Sequence, residues 1–167
     1  QTNLPEGRVQ LFGRAADVEH VRGLLRQHRL VSLFGAGGIG KTALALEVAH
    51  GLVGSFAHGV WLVELAALTS PDLVPASIAA ALNLRVSSET TPRGRLIDAL
   101  RERSVLLVFD NCEHLIDSVV ETTAALLAGC PAVRVLATSQ EILHLPEEQV
   151  YRLSPLTTAA TGDTRDP

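Results

Sequence analysis

The 167-residue sequence predicts an α/β fold: a parallel sheet covered by helices on both faces. Three observations carry that expectation. Short apolar runs of strand length alternate with stretches of helical periodicity. The strand runs are predominantly apolar, and the third nearly continuously so, as strands buried on both faces are. Hydrophobic residues make up 47% of the chain and charged ones 19%, so it is globular and long enough for one sizeable core.

Residues 17–28, DVEHVRGLLRQH, put Val18, Val21, Leu24 and Leu25 on one helical face. Residues 30–34 form an apolar run that ends in glycine, which suits a buried strand. A helix follows over 41–53, with Leu44, Leu46, Val48, Ala49 and Leu52 as its apolar positions. GVWLVEL, 59–65, is the second strand. PDLVPASIAAAL, 71–82, is a helix with proline in its opening turn. The polar loop 85–94 precedes a short helix over 95–101. SVLLVF, 104–109, is the third strand, ended by Asp110. Residues 113–128 carry Leu115, Ile116, Val119, Val120, Leu126 and Leu127 at helical spacing. Strands over 133–137 and 149–153 complete the set. The tail after Leu156 has nothing to bury and is expected to be mobile.

Composition narrows the function classes. A net charge of −4 argues against a nucleic-acid-binding module. Arg93, Arg95, Arg101 and Arg103 cluster, but Asp98 and Glu102 are interleaved with them, which describes a solvated helix face. Cys112 and Cys130 lack CxxC spacing and read as buried thiols of a reducing cytosol. The six histidines show no metal-ligand spacing. No apolar run approaches the ~20 residues a membrane helix needs, and QTNLPEGRV has neither the basic nor the apolar region of a secretory signal. With no methionine even at position 1, the sequence reads as a segment of a longer polypeptide.

Lys41 is the one lysine among fourteen basic residues, and it stands in a run of glycines. Gly35-Ala36-Gly37-Gly38-Ile39-Gly40-Lys41-Thr42 fits G-x-x-x-x-G-K-[ST], the phosphate-binding loop, and lies between a predicted strand and a predicted helix as that motif requires. A triphosphate needs many donors at close range. Peptide N–H groups supply them where no Cβ obstructs, hence Gly35, Gly37, Gly38 and Gly40. The helix starting near Gly40, with Ala43 in its first turn, directs free N–H groups and a positive dipole end at the same phosphates. Lys41 offers a compact ammonium to the β- and γ-phosphates, where the planar fork of arginine fits poorly. Thr42 offers a hydroxyl to Mg²⁺. Asp110, at the end of an apolar strand, is the acid expected to hold that metal. Asp110-x-x-Glu113 also has the spacing of a helix capping box, and the two roles are compatible.

With both motifs placed, the sequence resembles the STAND class of P-loop ATPases, the NB-ARC-like signalling ATPases. Within it the resemblance is to the nucleotide-binding domain of large bacterial transcriptional regulators of the LuxR and SARP types. NLPEGRVQLFGR resembles the family's N-terminal segment, which lies across the adenine. LFGAGGIGKTALALEVA resembles its Walker A region, VLLVFDNCEHL its Walker B, and VRVLATSQEIL its sensor strand, followed by VYRLSPL; the match runs over residues 3–156. The resemblance implies a three-layer P-loop NTPase sandwich whose five strands run in the order 2-3-4-1-5. It divides the chain into an adenine-side segment over 1–29, a nucleotide-binding core over 30–156 and a disordered tail over 157–167. Phe12 and Arg14 are expected near the adenine, Ile39 and Ala43 within the loop's reach, and Thr138 as a polar sensor of the γ-phosphate.

The implied ligands are ATP, ADP and Mg²⁺. The implied function is a cytoplasmic regulatory switch with slow hydrolysis, closed by helical and winged-helix domains beyond this segment. The segment itself is expected to be monomeric, without contact to nucleic acid or membrane, and the activated full-length protein to oligomerise. A turnover ATPase or P-loop kinase, and an interaction module that has lost nucleotide binding, are the alternatives.

Three positions depart from the family pattern. Gln140 follows Thr138-Ser139 where an arginine is usual. Asn111 stands where hydrolytic relatives carry an acid. Ala15-Ala16-Asp17 follows Arg14 where a glutamate is usual. Glu113 is read as a helix-start carboxylate, with a base in hydrolysis as its other reading.

Overall fold

The structure, a computed structural model, describes residues 1–7, 11–85 and 90–156. Part of the adenine-side segment, part of the 85–94 loop and the whole 157–167 tail lie outside the described residues.

Five strands, β1 (Leu30–Phe34), β2 (Val60–Glu64), β3 (Val105–Asp110), β4 (Val133–Ser139) and β5 (Glu148–Arg152), form one sheet in the order β2-β3-β4-β1-β5. Every pairing is parallel. Five helices cover it: α1 (Ala15–Gln27), α2 (Lys41–Leu52), α3 (Val74–Ala81), α4 (Pro92–Leu100) and α5 (Ile116–Gly129). The expected architecture and strand order both hold.

Side-chain alternation along the strands sorts the core into two halves. Leu107 and Phe109 of β3 and Val133 and Val135 of β4 face α3, α4 and α5, where they meet Ile78, Leu96, Val119 and Leu126. Leu106 and Val108 of β3 and Leu136 of β4 face α1 and α2, where they meet Val21, Leu44 and Val48. All of these side chains are fully or almost fully buried. Each contributes about 1.5–3 kcal/mol, so the two faces hold β3 and β4 from both sides. The same parity carries Asp110 and Thr138, the next residues on the second face, towards the start of α2. Alternation thus brings the two polar residues to the loop.

Element ends differ from the sequence expectation in instructive ways. The helix expected at 95 begins at Pro92, because Thr91 Oγ1 accepts the N–H of Gly94 at 3.1 Å and proline suits the first turn. The helix expected over 113–128 is a 3₁₀ turn, Cys112–Leu115, followed by α5. The turn lets Cys112 and Leu115 both enter the core. The helix expected from 71 likewise opens as a 3₁₀ turn, Pro71–Leu73, before α3. α1 starts two residues earlier than expected, at Ala15. Strand β4 runs on to Ser139 and takes Thr138 into the sheet, and β3 includes Asp110. The clustered arginines behave as a solvated face: Arg93 pairs with Glu121 and Arg101 with Asp98. Both cysteines are free and buried. Among the described residues no helix is long and apolar enough to cross a membrane, and no His, Cys, Asp and Glu side chains group as a metal site would need.

Candidate nucleotide-binding site

The loop from Gly35 to Gly40 leaves β1 at the carboxyl edge of the sheet, beside β4, where ligands collect in open α/β folds. Two glycines are there for their backbone: Gly38 has φ 77° and Gly40 φ 92°. Gly35 is there for space, since a Cβ on it would lie 2.3 Å from Ile39 Cδ1 and 3.0 Å from the Leu153 carbonyl oxygen. Gly40 is the N-cap of α2, and no side chain caps that helix. Its first N–H groups and dipole therefore face the cleft unneutralised, the arrangement a polyanion requires.

Lys41 is buried and folds back over the loop, its Nζ donating to the carbonyls of Gly35 at 2.8 Å and Ala36 at 2.7 Å. Thr42 Oγ1 donates to Asp110 Oδ1 at 2.8 Å, and Thr138 Oγ1 donates to the same oxygen at 2.6 Å. Thr138 Oγ1 in turn accepts the backbone N–H of Asn111 at 3.0 Å. One carboxylate, buried at the strand end, thus collects hydroxyls from the P-loop helix and from β4. The capping-box reading of Asp110 is overturned: its oxygens are taken by these hydroxyls and by Asn111 Nδ2 at 3.4 Å. The residue entering the 3₁₀ turn is Asn111 in the left-handed region, without a side-chain cap.

The cleft beside the loop, about 540 Å³, is lined by Gly37, Gly38, Gly40, Lys41, Thr42, Ala43 and Leu46, with Asn111, Glu113 and Gln140 opposite. The sequence shows Leu46 as an apolar position of its helix. It is one helical turn beyond Thr42, and that spacing is the signal for its place at the cleft. The predicted loop residues, Asp110 and Thr138 are brought together.

Arg14 reaches the site differently from what was expected. It is buried, and its guanidinium bonds the carbonyls of Ile39 at 3.3 Å and Ser154 at 2.8 Å, tying the P-loop to the segment after β5. Phe12 is 78% exposed and does not line the cleft. Asp17, three residues after Arg14, pairs with it at 3.2 Å and accepts the hydroxyl of Tyr151.

Burial and that bond to the Asp17 carboxylate push the Tyr151 phenol up from 10 to about 12. The folded pKa is raised, so this contribution to stability is whole below pH 10 and is lost as pH rises towards 12. Tyr151 is the chain's one tyrosine. An absorbance titration should therefore show a single phenolate appearing near pH 12 in the folded protein and near pH 10 in urea. Burial, with the nearby carboxylates of Glu113 and Asp110, also drives the Cys112 thiol far up, so it stays neutral.

Comparison with known proteins bears on the family and the fold. The AAA domain family matches residues 24–145. An uncharacterised protein of Mycobacterium tuberculosis is 38% identical over 148 residues, which are 89% of this chain and 38% of that protein. A second M. tuberculosis protein, provisionally named an HTH-type transcriptional regulator, is 38% identical over 137 residues, 80% of this chain and 15% of its own length. The chain thus spans well under half of the curated relatives it matches. Among solved structures, a Signal Transduction ATPase with Numerous Domains (STAND) protein with a tetratricopeptide repeat sensor, from Pyrococcus horikoshii, aligns with a TM-score of 0.65. That alignment is at 16% identity and covers 90% of this chain and 24% of that one. The Aeropyrum pernix ORC2 protein, solved as ADPNP–ADP complexes, aligns with a TM-score of 0.61 at 14% identity, over 89% of this chain and 50% of its own. With its P-loop, strand order and matched residues, the chain belongs to the AAA domain family and has the fold of a P-loop ATPase domain.

Proposed function

We propose that this chain is the ATP- and ADP-binding switch domain of a larger regulatory protein, with slow Mg²⁺-dependent hydrolysis that resets the switch. The observation that carries the reading is the meeting of Thr42 and Thr138 on Asp110 beside Lys41 and the uncapped start of α2. Lys41 and the loop amides hold the phosphates; Thr42 and Asp110 hold Mg²⁺, which supplies neutralising charge on the phosphate oxygens when bound. Thr138 passes the presence of the γ-phosphate to β4, and Arg14 acts indirectly, bracing the loop through the Ile39 carbonyl. Slowness follows from two neutral amides. Gln140 brings no positive charge to the transferring phosphate, and Asn111 leaves the position beside the strand-end acid without a second carboxylate.

ATP and ADP differ by the γ-phosphate, and Gln140, Asn111 and Glu113 line the cleft beside the loop that would hold it; each nucleotide would then favour a different arrangement of this domain against those that follow it. The relative provisionally named an HTH-type transcriptional regulator supports a place in a larger regulatory protein; a cytoplasmic location and helical and winged-helix partner domains are part of the same proposal. Calorimetry tests the reading: ATP–Mg²⁺ and ADP should each bind one to one, and phosphate release should stay below ~1 s⁻¹, the low end of ordinary turnover. No heat of binding at millimolar nucleotide would refute the switch, and fast turnover would make the chain an enzyme first.

A further inference from the structure

Glu113 is the one acid among the residues lining the loop cleft, and it faces the P-loop across it. Its Oε2 is buried without any hydrogen-bond partner. Its Oε1 accepts the Gln140 amide, Nε2, at 3.5 Å, and that same amide nitrogen would sit 3.0 Å from a Cβ on Gly37. Gln140 therefore stands between the carboxylate and the loop. A capping role does not account for Glu113, because its side chain accepts no backbone N–H and the turn it belongs to has no side-chain cap. A carboxylate oxygen left bare in this way costs stability and calls for a donor. No neighbour could take a proton in its place, since Asp110 is occupied by Thr42, Thr138 and Asn111, and the Asn111 side chain is an amide.

Building on the switch reading above, we infer that Glu113 is the group that holds and deprotonates the attacking water, with Gln140 as the positioning residue that keeps its carboxylate at the cleft. The water oxygen forms the new bond to the γ-phosphorus, and the bond from that phosphorus to the β,γ-bridging oxygen breaks. ADP leaves with the bridging electron pair. The water proton passes to Glu113 and from there to solvent, leaving ADP, inorganic phosphate and one proton.

The test is single-turnover phosphate release from ATP–Mg²⁺ with the 167-residue chain in excess, beside calorimetric affinity and a thermal melt for each variant. Glu113→Gln should bind ATP within about threefold of the parent and remain loaded with ATP, while release slows by roughly 10²-fold, the low end for a proton-transfer group. Its melting temperature should stay level or rise, since an unpartnered charge has been removed. A structural carboxylate would instead lose affinity and melting temperature together, and that result overturns the inference. So does release within about twofold of the parent rate. If Glu113→Gln does not fold, Glu113→Asp gives the same reading: ATP bound, release slowed at least about tenfold, against no slowing if Glu113 is idle. A parent chain that binds no ATP would bring down the switch reading, and this inference with it.

Discussion

Lys41→Ala should reduce ATP and ADP affinity by more than about 10²-fold, while the chain stays folded. In the structure the ammonium is buried and already held over the loop by the Gly35 and Ala36 carbonyls. It is thus preorganised where the phosphates would lie, and swings from carbonyl to phosphate without a search through rotamers. Hydrogen bonds to charged groups are worth about 1.5–3 kcal/mol each, and one ammonium serving two phosphates accounts for two of them. Truncation removes both, and it also releases the two carbonyls that shape the loop. Lys41→Arg should rescue little, because a planar fork needs more room than the cradle gives. Being the chain's one lysine, Lys41 also reports on itself. An amine-reactive reagent should modify only the N-terminus and this side chain, and saturating nucleotide should protect the second. A Kd for Lys41→Ala within about threefold of the parent, or labelling indifferent to ATP, would remove the basis for the site.

Much of this was legible in the sequence because it depends on local pattern. A strand buried on both faces is apolar over most of its length, so β3 announces itself and the acid ending it is conspicuous, whereas β4 carries Arg134 and its Thr138 was implied only by the family resemblance. The P-loop is equally local, since glycines, one lysine and one hydroxyl must follow each other without interruption. What could not be read is what side chains do across the chain. Asn3 pairs with both backbone groups of Leu62, 59 residues away, and docks the N-terminus on the free edge of β2. Arg29 fans out over the carbonyls of Leu127, Cys130 and Val133, closing the end of α5 and the turn after it. Glu148 accepts the Ser32 hydroxyl and the N–H groups of Leu143 and His144, fastening β5 to β1. Such bonds obey no periodicity. Arg14 illustrates the limit: the family resemblance implied a place near the adenine, and only the fold shows it spending its guanidinium on the loop, an acid and the segment after β5. The Asp110–Glu113 spacing misled for the same reason, because a capping box and a strand-end metal acid look alike until Thr42 and Thr138 are seen to claim the carboxylate.

Asp110→Asn should leave nucleotide binding but abolish its Mg²⁺ dependence, and slow phosphate release by more than about 10²-fold. The substitution is nearly isosteric, and the amide oxygen can still accept both hydroxyls that now converge on Oδ1. The fold should therefore survive, unlike Asp110→Ala, which would leave the buried Thr138 hydroxyl without its acceptor, at about 1–3 kcal/mol, while the exposed Thr42 hydroxyl could turn to water. The charge is what vanishes. A divalent cation is held by hard, anionic oxygen, and the Thr42 hydroxyl alone is a neutral ligand, so the metal loses its one charged protein partner at this edge. Parent protein should bind ATP more tightly with Mg²⁺ than with EDTA, whereas Asp110→Asn should give the same Kd in both. The new amide also meets Asn111 Nδ2, donor against donor, where Oδ2 now accepts. That conflict is relieved by turning the Asn111 amide, so its cost to stability is small and separable from the metal effect by a thermal melt. Were Mg²⁺ to strengthen ATP binding equally in Asp110→Asn and parent, the strand-end carboxylate would be a structural anchor for two threonines, and the metal would have to be held elsewhere.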